Sequence, residues 1–335
     1  MQNWMTMHPY ALRLFLATLA VTLAAAAGVH GLAADEGTTS INKFWEQALP
    51  GSPMPEAIAR LVEKGIHQSP LDPNTPVSIV ESLGRWQCYL MYTWFCPPVT
   101  TAVPAGVFFR QGQARVGHAV EAHLPAGRAL PGLLSREAEA RAPPFGDLAA
   151  VLSRTHGLRG CATSLEATVD AATRMLTGDE GVLMPTRNVW ATASALPIDG
   201  LPRQLYEVAA VDTLDGDRHV VCHAYPYPYT VYRCHMTSST RAFVLKLRHR
   251  GAGGPEVAAV AAICHLDTSD WTPTHPVFKA LDTKPGGAPV CHFIPYGHLV
   301  FGNNRQQAAQ GSTTTTLLMK RSIDDLLQTA AGLVV

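Results

Sequence analysis

The sequence predicts an α+β chain, with short helices in the first half and a β-rich, disulfide-stapled second half. Three observations predict it. Two stretches of the first half repeat apolar residues at helical spacing. Beyond Gly181 the chain breaks into short β-branched and aromatic runs separated by Gly-, Pro- or Asp-containing turns. Seven cysteines follow a leader-like start. The 335 residues are 47% hydrophobic and 16% charged, enough apolar material for a sizeable core. Net charge is zero with histidine neutral, so the chain lacks the basic footprint of a nucleic-acid binder. Direct DNA binding is not indicated.

Residues 1–34 read as a signal peptide. Arg13 precedes an uncharged run from Leu14 to Val29, and the small residues Gly31 and Ala33 prepare a cut at Ala33 or Ala34. A retained anchor is the alternative, but the run is short and alanine-rich for about 30 Å of hydrocarbon. Export places the cysteines where disulfides persist.

Residues 35–124 form an N-terminal region containing aromatics and cysteines. Lys43 to Gln47 is a short amphipathic piece. Pro55–Glu56 opens a helix with Ala57, Ile58, Leu61 and Val62 on one face, and Gly65 is expected to end it. Val77 to Pro98 holds Cys88 and Cys96 among aromatics, and short strands are expected at 107–109 and 115–118. Residues 125–180 are read as linker and helical region. Pro, Gly, Arg and Glu dominate 125–147, a helix follows from Asp147 to about Arg154, and a stronger helix runs from Ser164 to Leu176 on Leu165, Val169, Ala172 and Met175. Residues 181–335 carry the β-like runs at 206–210, 220–223, 230–234, 243–247 and 257–264. Another is expected at 313–319, before a final helix over 324–330.

Four of the seven cysteines are followed directly by histidine: Cys222–His223, Cys234–His235, Cys264–His265 and Cys291–His292. Zinc would accept two sulfurs and two nitrogens from 222–235, but close Cys spacing is missing. Adjacent side chains on a strand also point to opposite faces, so one dipeptide cannot easily aim both at one ion. Bridges between neighbouring strands are the simpler expectation. Cys264 with Cys291, Cys222 with Cys234 and Cys88 with Cys96 are the candidate disulfides, and Cys161, at a helix entrance, is the odd one. Pairing six of seven allows on the order of a hundred connectivities, so arithmetic alone does not choose. His265 and His292 are then structural histidines flanking a bridge.

A Cys–His–Asp catalytic group can be sketched from Cys264 and Cys291 with Asp267, Asp270 and His275, but no nucleophile signature accompanies it. Phosphate loops, GxGxxG, His-Glu-x-x-His and Gly-x-Ser-x-Gly are all absent. Asp212, Asp215 and Asp217 read as a solvated turn. No catalytic, cofactor or metal residue is assigned, and the chain is expected to be no enzyme. The alternative is a periplasmic hydrolase or metal enzyme built on the Cys–His pairs.

ICHLDTSDWTPTHPVF at 263–278 and PVCHFIPYGHLVF at 289–301 resemble the C-terminal signatures of a TraU-like protein family of integrating conjugative elements. The resemblance implies a periplasmic accessory of a conjugative type IV secretion system, supporting mating and DNA transfer without catalysis. Its partners would be envelope components of the transfer apparatus and the periplasmic disulfide-forming machinery. It also implies a structural role for Cys264, Cys291 and His292.

Overall fold

The computed structural model describes residues 39–67, 106–140, 159–177, 188–226, 229–237, 239–251 and 254–304. The expected signal peptide, Cys88 and Cys96, the helix at 147–154 and the elements at 313–319 and 324–330 lie outside the described residues. Among the described residues no helix is long and apolar enough to cross a membrane.

Eleven strands are described, and they build two antiparallel sheets. β1 (Phe108–Arg110), β2 (Ala119–Leu124), β5 (Leu201–Leu214), β8 (Thr240–His249), β9 (Glu256–His265) and β10 (Val290–Phe293) form the first, in the order β1-β10-β9-β8-β5-β2. β3 (Arg159–Ala162), β4 (Val189–Thr192), β6 (His219–Pro226), β7 (Thr230–Thr237) and β11 (Leu299–Asn303) form the second, in the order β3-β7-β6-β11-β4. In its second half the chain crosses between sheets after β4, after β5, after β7 and after β10. With a few short helices, a majority of β-strands and two disulfides in the second half, the α+β expectation holds, although three of the strands lie in the first half.

Strand alternation sorts the residues into layers. Val221 and Val300 of the second sheet meet Ala242, Ala261 and Ile263 of the first, with Ile294 from the crossing between them. This is the inter-sheet core. The opposite face of the second sheet presents Val220, Cys222, Ala224, Tyr232, Cys234, Leu299 and Phe301 to three helices. These are α1 (39–48), α2 (Glu56–His67) and α4 (Leu165–Thr177). α4 buries Leu165, Val169, Ala172 and Met175, the face its periodicity predicts. The far face of the first sheet carries its own core, where Tyr206, Leu245, Val260, Cys264, Cys291 and Phe293 pack with Val277 and Phe278. The last two belong to α5 (Pro276–Ala280), and a further short helix, α3, spans Arg136–Glu139.

Several local expectations are corrected. Gly65 does not end α2, which continues to His67. Its lack of a side chain serves packing instead, because a Cβ there would collide with the Leu133 carbonyl. The second early strand lies at 119–124 rather than 115–118, because Gly117 (φ +81°) turns the chain first. Within 125–147, Leu130, Leu133 and Leu134 are buried, and Leu133 N–H donates to the Leu61 carbonyl at 2.8 Å. Cys161 sits in β3, not at a helix entrance.

Candidate functional site

Each Cys–His dipeptide lies on a strand, and alternation splits it between two faces. The cysteines turn outward and pair across neighbouring strands. Cys222 faces Cys234 in the β6–β7 register, Cys264 faces Cys291 in β9–β10, and both pairs are disulfides. Cys161 is free. The histidines turn inward. His223 and His235 come from the second sheet and His265 and His292 from the first, and they meet between the layers. A dipeptide cannot aim both its side chains at one point, but four dipeptides on two facing sheets can aim four imidazoles at one region.

The imidazoles form two pairs. His223 Nε2 lies 3.2 Å from His235 Nε2, and His265 Nε2 lies 3.4 Å from His292 Nε2. The rings are near parallel within each pair, with centroids 5.3 and 5.5 Å apart. The pairs join through His223 and His292, whose ring centroids are 6.4 Å apart. Among the described residues no group of three or more His, Cys, Asp or Glu side chains stands close enough together to hold a metal ion as placed.

Further groups surround the four rings. His298 Nδ1 lies 3.1 Å from His223 Nδ1. The ring nitrogen His292 Nδ1 is 3.1 Å from the Phe293 carbonyl. A carbonyl only accepts, so His292 carries its proton on Nδ1 and turns the Nε2 lone pair toward His265. Trp271 meets the His265 ring at 4.9 Å, and Phe108 meets His292 at 6.1 Å. His275 accepts from Val277 N–H at the start of α5 and packs on Trp271.

The electrostatics favour neutral rings. His223, His265, His292 and His298 are between 2 and 7% exposed, and among the described residues none of the four hydrogen-bonds a carboxylate. Burial, then the neighbouring imidazoles, holds His223 and His265 well below the ordinary histidine range. Burial pushes His292 and His275 down to about 4 and His298 to about 3. At neutral pH these rings are uncharged, which is the form that ligates a metal.

The sketched Cys–His–Asp group does not assemble. Cys264 and Cys291 are bonded to each other, and exposed Asp267 accepts from Ser269 N–H at 2.9 Å. His265 and His292 follow the bridged cysteines in sequence, but their rings lie on the opposite face of the sheet from the bridge. The sequence reading missed their meeting with His223 and His235, and it missed His298. The repeated dipeptide was the available signal, once its histidines are taken together across four strands.

Comparison with known proteins corrects the resemblance drawn from 263–301. A family model described as "BURP domain" matches residues 153–303, a span containing all four dipeptides. Protein RAFTIN 1B of Triticum aestivum is 33% identical over 87% of this chain and 98% of its own length. BURP domain-containing protein 5 of Oryza sativa subsp. japonica is 31% identical over 76% of this chain and 84% of its own. BURP domain-containing protein 13 of the same plant is 49% identical over 43% of this chain, which spans 33% of that protein. These relatives are plant proteins, so the TraU-like family, the conjugative type IV secretion function and the transfer-apparatus and periplasmic partners are all overturned. The misreading drew on two of the four dipeptides and the turns around them.

Proposed function

We propose, from the premise that this chain belongs to the BURP domain family, that it is an exported domain binding one transition-metal ion through His223, His235, His265 and His292. The observation that carries this is the gathering of four imidazoles from four strands of two sheets. Three of them, His223, His265 and His292, are buried and held neutral. The spacing within each pair suits ligands. Two nitrogens each about 2.0–2.1 Å from a tetrahedral ion lie roughly 3.3–3.4 Å apart. The pairs supply these edges, and the ion would supply the link between them. An all-imidazole set suits zinc, copper, iron or nickel, and the usual affinity order favours copper(II). No reaction is assigned to the ion. Export is supported by the two disulfides, which persist in an oxidising compartment.

A second reading is favoured by the pairing itself. Nε2 to Nε2 distances of 3.2 and 3.4 Å also suit N–H···N hydrogen bonds between purely structural histidines. Calorimetric titration of the chelator-treated full chain with copper(II) or zinc(II) separates the two. One ion per chain is expected, with binding lost in a folded His223→Ala/His292→Ala variant. A folded wild-type chain that shows no saturable uptake leaves the histidines structural.

A further inference from the structure

His298 lies where the chain last crosses between sheets, in a turn fixed from several sides. Gly297 takes φ +76°, and a Cβ there would press on Leu130 at 2.7 Å and Leu61 at 2.8 Å. The Tyr232 hydroxyl donates to the Gly297 carbonyl at 2.6 Å. One residue after His298, Leu299 pairs with Cys222 in the β11–β6 register. His298 is thereby set beside His223, with ring planes 82° apart and centroids at 5.2 Å.

Both atoms of the His223–His298 contact are Nδ1. A neutral imidazole carries one N–H, so one ring donates and the other accepts. If His298 donates, the proton of His223 must sit on Nε2, facing His235, and that nitrogen must give up the proton before it can bind an ion. If His223 donates, its Nε2 lone pair faces the cluster. His292 already shows the second pattern, with its Nδ1–H donated to the Phe293 carbonyl. Ligating histidines generally donate their other N–H in this way, which sets tautomer and ring angle together.

We propose that His298 is the positioning residue of the site: its Nδ1 accepts the Nδ1 proton of His223 and so presents His223 Nε2 as a ligand, the part the Phe293 carbonyl plays for His292. This rests on the metal-binding reading above. His298 itself does not touch the ion.

Two variants of the full chain test it. The His298→Asn variant keeps an acceptor, because the amide Oδ1 takes the place of the ring Nδ1. The His298→Leu variant keeps bulk and removes the acceptor. His298→Leu should weaken copper(II) or zinc(II) binding about 10–100-fold, the usual effect of losing such a partner. His298→Asn should stay within about threefold of wild type, with one ion per chain throughout. Nitrogen-15 NMR of the metal-free, histidine-labelled protein should find the His223 proton on Nδ1. A His298→Leu variant that binds as wild type does, or a His223 proton on Nε2, overturns the proposal. Absence of binding by the wild type sinks the metal reading instead, and the tautomer measured in the same sample still decides the role of His298.

Discussion

The two Cys–His corners reach one arrangement by different routes. Cys222 and Cys234 sit on a hairpin, twelve residues apart in sequence, and eight register pairs along β6 and β7 already hold them opposite each other. Cys264 and Cys291 are twenty-seven residues apart, and only four register pairs join β9 to β10. The segment between these strands holds one short helix, α5, anchored by His275 capping and by Val277 and Phe278 in the core. Both corners still turn cysteine outward and histidine inward. The difference teaches that the bridge repeats what the backbone specifies at the hairpin, and supplies what the backbone lacks at the β9–β10 corner.

Removing each bridge is the harshest way to break that comparison. By chain entropy, Cys264–Cys291 contributes about 3.5 kcal/mol and Cys222–Cys234 about 3 kcal/mol. The short β10 ladder should widen this gap in practice. Urea unfolding of Cys264→Ala/Cys291→Ala should therefore show the larger loss of stability, and also the larger loss of metal affinity. The reverse ranking would mean that α5 and its anchors hold the β9–β10 corner without help.

Acid sharpens the comparison through the histidines. Burial holds His292 at about 4 and His298 at about 3 in the fold, against about 6.5 in the unfolded chain. The unfolded chain then takes up protons that the fold refuses. Stability is complete above about pH 6.5 and falls as pH drops toward 4, by about 1.4 kcal/mol per pH unit for each such histidine. Urea midpoints at pH 7, 6 and 5 should fall in that order, and His292→Asn should flatten the trend. A midpoint constant over this range contradicts the burial of neutral rings.

What the sequence reveals and what it hides follow from the range of the interactions involved. α4 is legible because Leu165, Val169, Ala172 and Met175 report on a single face within one element. The central strands are legible because β-branched runs and turns are equally local. The extents are not, since Leu201–Leu214 and His219–Pro226 are lengthened by pairing with distant partners. β11 escapes notice because LVFGN is buried almost throughout and follows a Pro-Tyr-Gly turn, so no alternation marks it. The histidine cluster is the least local feature of all. It requires two registers and the packing of two sheets, and a one-residue slip in either register would turn its histidines outward.

The most direct measurement is X-ray absorption at the metal edge of the full chain carrying one equivalent of copper(II). Four histidines between the sheets predict nearest neighbours of nitrogen at about 2.0 Å with imidazole scattering beyond them, and no sulfur near 2.3 Å. A sulfur neighbour, or a set of water oxygens without imidazole scattering, would contradict the site.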